Sequence, residues 1–241
     1  MDIYLSVVIP AYNEEKNIGD TLREISGFLS KKDYSSEVIV VDDGSGDGTF
    51  GEACSGRRLF KEFKVLRNEV NKGKGYTVRK GIMASRGDVV LFMDADNSTS
   101  ISEIDKFLGV IKHSDIAIGT RRERGSQIIV PEPLSRVMMG QVYILLSRII
   151  FGCSVRDLNC GFKLFRSEAA KKLFSAQKMD DWSFDTEVLF LAEKFKLRVT
   201  EVPVKWEHKL TSKVKPLRDG IRSFKSLVMI KMADLRGEYS A

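Results

Sequence analysis

The chain predicts an α/β fold in which a mostly parallel central sheet is flanked by helices. Three observations carry this expectation. Short apolar runs recur, at 5–10, 37–41, 89–93 and 116–119, and several are rich in valine and isoleucine. Stretches with helical spacing fill the gaps between them, the alternation that gives parallel sheets covered on both faces. Two of the runs end in paired carboxylates, Asp42-Asp43 and Asp94-Ala95-Asp96. Strand ends of an open α/β sheet are where ligands bind.

Taken in order, residues 5–10 form a first strand broken at Pro10, and a helix follows through Ile18, Leu22, Ile25 and Leu29. Residues 37–41 are a second strand, followed by the glycine-rich turn 44–48 and a short helix. Residues 64–66 make a short third strand. The loop 71–75 leads into a helix ending near Gly87, and 89–93 is the fourth strand. A helix over 101–111 precedes a fifth strand at 116–119. The pattern then changes. Residues 121–133 read as a polar, basic loop with two prolines, long enough to suggest function. Leu134–Phe151 is an apolar helix with a thin polar stripe through Arg136, Gly140, Gln141 and Arg148. Residues 162–165 and 199–206 are added strands with a helix over 184–195 between them. Residues 217–235 are amphipathic, with Ile221, Phe224, Leu227 and Val228 set against Arg218, Arg222, Lys225 and Lys231.

A length of 241 residues at 43% hydrophobic supports one large core, and 30% charged residues is an ordinary globular proportion. The net charge of +6 points to an acidic partner, among which charge alone does not choose. Cys54, Cys153 and Cys160 are odd in number and lack metal-ligand spacing, which reads as buried reduced thiols. The start at Met1 runs straight into a strand, and no apolar run approaches the roughly 20 residues that span a bilayer. The expectation is a protein that does not cross the membrane by itself.

Asp94-Ala95-Asp96 is the most specific chemical element. Bare carboxylates repel one another, whereas hard oxygen ligands suit Mg²⁺ or Mn²⁺ bridging a nucleotide diphosphate. A chain can turn at a strand end, so one of the two can serve the metal and the other a ribose. Pro10-Ala11-Tyr12-Asn13-Glu14 sets an aromatic and a carboxylate where a base and ribose could lie, and a simple strand-to-helix turn explains the same residues. Asp42 and Asp43 can accept from a base or ribose, with Gly44 allowing close approach, against the reading of a turn rich in Asp and Gly. Lys72 and Lys74, interleaved with glycines, suit a phosphate-facing loop or a solvated one. The spacing of Gly44, Gly46 and Gly48 is not that of a dinucleotide-binding turn, and no Walker-type phosphate loop occurs. A dehydrogenase and an ATPase are therefore set aside.

Together, Val8 to Glu14, Val41 to Ser45, Asn71 to Gly75 and Asp94 to Asp96 resemble, in order, the motifs of family 2 glycosyltransferases with the GT-A fold. Arg156 to Phe165, Trp182 to Glu187 and Ser212-Lys213 narrow the likeness to the polyprenyl-phosphate branch, dolichyl-phosphate β-glucosyltransferases ahead of mannose synthases. Ser98 stands where mannose synthases place a Gln, and the Gln-x-x-Arg-Trp motif of processive synthases is missing. Many glucosyl relatives carry a membrane anchor before the catalytic domain, and the expectation here is a sequence without one.

The resemblance implies one GT-A domain over 1–241: a nucleotide-sugar half at 1–120, an acceptor-side half at 121–215 and an amphipathic helix at 216–241. It implies inverting transfer of one sugar, UDP-glucose being the favoured donor, to a polyprenyl phosphate at the cytosolic face of a membrane. Nucleic acid is not an expected partner, and a membrane protein partner is left open. A GDP-mannose-dependent transferase and a catalytically silent sugar-nucleotide-binding subunit are the alternatives. The donor side comprises Pro10, Ala11, Tyr12, Glu14, Asp42, Asp43, Lys72, Lys74, Asp94 and Lys213, with Asp94 and Asp96 as metal ligands. Asp96, Arg121 and Asp157 are the catalytic candidates, and Arg122 and Arg136 the acceptor candidates. Asp157 reads either as the carboxylate that orients acceptor or acts as base, or as a cap or ion-pair partner of Arg156.

Overall fold

The computed structural model describes residues 2–130, 134–153, 155–207 and 216–239, with the side chains of 134–136 and 216–223 outside that description. In chain order the elements are β1 (Leu5–Ala11), α1 (Ile18–Leu29), β2 (Ser36–Asp42), α2 (Thr49–Ser55), β3 (Phe63–Arg67), α3 (Lys74–Met83), β4 (Val89–Met93), α4 (Ile104–Val110) and β5 (Ile116–Thr120). Then come β6 (Gln127–Val130), α5 (Leu134–Phe151), β7 (Phe162–Arg166), α6 (Ser167–Ala176), α7 (Phe184–Lys194), β8 (Val199–Pro203), β9 (Lys205–Glu207) and α8 (Pro216–Leu235).

Seven strands form one sheet in the order β3-β2-β1-β4-β7-β5-β8. All neighbours are parallel except β7, which runs antiparallel to both β4 and β5. β1, β2 and β4 are buried on both faces, which is why they read as continuous apolar runs rather than alternating ones. Two cores result, one on each side of the sheet. Val8, Ile39, Phe92, Phe165 and Phe184 belong to one; Leu5, Ile9, Leu22, Phe107 and Phe162 belong to the other.

The expected α/β class and the bounds of α5 hold. Three readings are corrected. The stretch 121–133 is not all loop, because β6 pairs in parallel with β9 as a separate ribbon. The run 199–206 is two strands in different sheets, divided at Val204. Cys153 and Cys160 are buried but Cys54 is exposed. Along α8 it is Leu227, Ile230 and Ala233 that enter the core, while Phe224 and Val228 lie outside it. Amphipathic spacing shows that a stripe exists but not which of two apolar stripes meets the core.

Candidate donor and acceptor site

The parallel strands bring their carboxyl ends to one edge, and antiparallel β7 brings its amino end there. Phe162 pairs with Met93, so the Asp94 and Gly161 backbones meet, Asp94 N–H donating to Gly161 O at 3.1 Å. A side chain at 161 would run into the Asp94 carboxylate, so glycine at 161 leaves that carboxylate its place at the edge. This edge gathers Tyr12, Asp43, the 71–75 loop, Asp94, Asp96 and the start of the 121 loop.

Lys74, at the first turn of α3, lies 2.7 Å from Asp94 Oδ1. Its ammonium also sits 4.6 Å from the Trp182 ring centroid and 5.3 Å from that of Phe92. Burial works against the charged ammonium, but Asp94 and Asp185 outweigh it and hold the Lys74 pKa above its ordinary value. Asp96 points its Oδ1 at Ser98, accepting from the backbone N–H at 2.9 Å and the hydroxyl at 2.7 Å. Burial, followed by the charge of Asp94, raises the Asp96 pKa. Two carboxylates under this tension, both offering hard oxygens, fit a divalent cation. Among the described residues no set of three or more His, Cys, Asp or Glu gathers to hold a metal, so remaining ligands would come from phosphate oxygens or water.

Asp42 and Asp43 both make contacts within the chain. Asp42 is fully buried, with Arg67 Nε 3.0 Å from Oδ2 and Ser45 N–H donating to Oδ1 at 3.2 Å. Asp43 accepts the backbone N–H groups of Lys72 at 2.8 Å and Gly73 at 2.9 Å, plus Asn68 Nδ2 at 2.8 Å. It therefore shapes the loop that carries Lys72 and Lys74. Gly73 has φ of 100°, and a Cβ there would strike the Asp180 carbonyl, so this loop too depends on glycine. Lys72 itself is exposed. Pro10 and Ala11 are buried in β1, Tyr12 is exposed beyond it, and Glu14 accepts from Asn17 Nδ2 at 2.6 Å.

On the acceptor side Arg121 grips Asp157 in a two-pronged fork, Nε to Oδ2 at 2.7 Å and NH2 to Oδ1 at 2.9 Å. The Arg121 backbone N–H adds a third bond to Oδ2 at 3.0 Å. Burial pushes the Asp157 carboxyl up, but the Arg121 fork overrides it and the net pKa falls below the usual range. The fork thus favours the charged form of Asp157 and weakens it as a base. Its ion-pair partner is Arg121 and not Arg156, the partner named in the structural alternative; Arg156 donates through its backbone N–H to Glu201 and reaches Glu123. Arg121 also lies 4.9 Å over the Trp206 ring. Arg122 is exposed, with its guanidinium beside Gly140 of α5. The Arg136 side chain and all of Lys213 lie outside the described residues.

Sequence reasoning missed the buried pair Lys163 and Asp185. Lys163 Nζ contacts the Asp185 carboxylate and donates to Cys160 O at 2.8 Å, and both side chains are almost wholly buried. Burial raises the Asp185 pKa, against the pull of Lys163 and Lys74. The available signal was Lys163 itself, a charge inside the apolar run Phe162 to Phe165.

The family model described as glycosyl transferase family 2 matches residues 6–174. The chain is 36% identical over 249 residues to a dolichyl-phosphate beta-glucosyltransferase of Drosophila melanogaster, covering 98% of this chain and 76% of that one. It is 34% identical to the protein of that name from Saccharomyces cerevisiae, covering 99% and 77%. Among solved structures, mannosyl-3-phosphoglycerate synthase from Rubrobacter xylanophilus superposes with a TM-score of 0.73 at 22% identity, covering 98% of this chain and 75% of that one. Glucosyl-3-phosphoglycerate synthase from Mycobacterium tuberculosis, in complex with Mn²⁺, UDP-glucose and phosphoglyceric acid, superposes at 0.70 and 20% identity, covering 95% and 80%.

Proposed function

We propose a function from one premise: this chain belongs to glycosyl transferase family 2 and is a glycosyltransferase of the GT-A fold. It moves a single glucosyl group from UDP-glucose to a polyprenyl phosphate of the dolichyl type, at the cytosolic surface of a membrane. The observation that carries the reading is the meeting of Asp94, Asp96 and Lys74 at the carboxyl edge of the sheet. The names of relatives at 32–36% identity support the sugar and the acceptor.

Asp94 and Asp96 would hold Mg²⁺ or Mn²⁺, which when bound supplies positive charge to the departing diphosphate. Lys74, poised on Asp94, is the chain's own cation for the same oxygens. A phosphate monoester has a second pKa of about 6, so the acceptor is largely a dianion at neutral pH and needs little help as a nucleophile. The harder tasks are to bring two anions together and to stabilise the leaving group, which cations do. Asp157 keeps Arg121 oriented at the acceptor side, while Arg122, Arg136 and Lys213 are further acceptor or donor cations. No helix among the described residues is long and apolar enough to cross a membrane. Surface contact falls to α5 and α8, whose outer faces carry Met138, Val142, Leu145 and Ile149, and Phe224, Val228 and Met232.

A donor panel of UDP-glucose and GDP-mannose with polyprenyl phosphate, scored by lipid extraction and product mass, tests the proposal. A metal-dependent hexosyl polyprenyl phosphate from UDP-glucose is expected. Label that stays in the aqueous phase, or a preference for GDP-mannose, overturns it.

A further inference from the structure

Tyr239 lies outside every motif recognised in the sequence, yet it is 1% exposed and its hydroxyl donates to Glu187 Oε1 at 2.5 Å. Glu187 is itself fully buried on α7. Its two oxygens also receive the backbone N–H groups of Lys178 at 2.9 Å and Met179 at 2.8 Å. A buried carboxylate without donors is costly, so the two backbone bonds fix the 178–179 segment to Glu187, and the Tyr239 hydroxyl supplies the third donor. One residue further on, Asp180 O accepts the N–H groups of Gly75 at 2.8 Å and Tyr76 at 3.2 Å, the first turn of α3. Arg79 of α3 closes the link from the other side, reaching Gln177 O and Asp180 Oδ1, each at 2.9 Å. The same segment delivers Trp182 onto Lys74. Ser226 of α8 adds a contact to Asp181 Oδ2 at 3.4 Å.

From this chain of contacts we propose that Tyr239 is a positioning residue for the donor site, holding the 73–76 turn and Lys74 in place through Glu187 and the 177–182 segment. The proposal rests on the reading above, in which that turn faces the donor diphosphate. Tyr239 touches no reacting atom; its effect is to keep a glycine-rich turn ordered before the nucleotide arrives. Glycines lose the most freedom on ordering, so a turn built on Gly73 and Gly75 gains most from an outside clamp. The link also joins α8, which carries exposed apolar residues, to the nucleotide edge of the sheet.

Tyr239→Phe keeps the ring and its packing on Phe190, at 5.9 Å, and removes only the hydroxyl. Two readouts are made on the full chain: amide hydrogen exchange, and calorimetric affinity for UDP with Mn²⁺. Ile230→Val, which trims the buried face of α8 just ahead of Tyr239 without touching the polar link, is the control. The expected result is exchange at Gly75 and Tyr76 accelerated about tenfold and UDP bound several-fold more weakly in Tyr239→Phe, the scale of one lost bond to a charged group. Ile230→Val should lower Tm and leave both unchanged. Unaltered exchange at Gly75 and Tyr76 overturns the proposal, as does an equal change in the control. Should Tyr239→Phe not fold, Glu187→Gln is read by the same two criteria. If the native protein binds no UDP, the functional reading falls, and the exchange measurement still decides the role of Tyr239.

Discussion

The ammonium of Lys74 rests 2.7 Å from Asp94 Oδ1, so the first carboxylate of the Asp-Ala-Asp turn is already met by a cation of the chain. The second, Asp96, bonds only to Ser98 in the described contacts and carries the raised pKa. Two like residues separated only by Ala95 thus stand in different electrostatic surroundings before any ligand binds.

Replacing Lys74 with Met should separate metal binding from catalysis. The carboxylate pair loses its resident positive charge, so Mn²⁺ should bind more tightly. Turnover should fall by about 100-fold if Lys74 also serves the leaving diphosphate. Calorimetric Mn²⁺ titration beside turnover reads both. Unchanged metal affinity would mean that Lys74 and the metal do not share Asp94.

Asp96→Asn should cost about 100-fold or more in metal-dependent turnover. Its effect on the metal-free fold should be the reverse. Because the folded pKa of Asp96 is raised, its ionisation opposes folding: no cost is present below the unfolded value near 4, and it grows as pH rises through the folded value. Asn can still accept from Ser98 without the charge. The variant should therefore melt higher than the native protein at pH 7 in chelator, with the difference vanishing near pH 4. A variant that melts lower at pH 7 would refute this account of the site's tension.

Asp157→Asn should be strongly destabilising, by roughly 3–5 kcal/mol, because it strands the half-buried Arg121 without its counter-charge. Here the sign is opposite to that of Asp96. A depressed folded pKa contributes stability above the ordinary carboxylate value near 4 and loses it as pH falls through the folded value. Thermal melts from pH 3 to 6 should be steep for the native protein and flatter for the variant. In the folded fraction, turnover should drop while UDP affinity stays near normal. Normal turnover would remove Asp157 from the acceptor site.

How much of this could be read from the sequence depends on how local each signal is. Asp94 and Asp96 declare themselves because two carboxylates at a strand end have few structural uses, and α5 was bounded correctly because its apolar run is long. β6 escaped because its partner β9 lies some 75 residues later and each strand is short. Lys163 and Asp185 escaped because nothing in either neighbourhood predicts that they meet. The Asp42-Asp43 pair was legible as important, but not that its oxygens are spent on Arg67, Lys72 and Gly73.

Met138 and Ile149 on α5 are 65% and 71% exposed, and Val142 and Leu145 lie between them on the same outward row. If this row meets lipid, Val142→Glu with Leu145→Glu should abolish flotation with anionic liposomes at low salt. Charge reversal at Arg218, Arg222, Lys225 and Lys231 should weaken it in a salt-dependent way, and UDP affinity should survive both changes. A native protein that never floats would dismiss the membrane surface as partner.

The antiparallel β7 occupies the middle of the sheet, between β4 and β5, although both are complete before it in the chain. During synthesis, when residues up to Thr120 have emerged, β4 shows one unpaired edge beside β1, and β5, whose partners are β7 and β8, has no strand to pair with. More than 40 residues must follow before Phe162–Arg166 can fill the gap. Non-local pairing of this kind is slow, and open edges invite association with other chains. The strand that brings Gly161 to Asp94 is thus also the keystone of assembly, and fragments ending before it should gather into aggregates instead of folding as a nucleotide-binding half. A lesion in β7 would then show itself first as poor yield and only afterwards as poor catalysis.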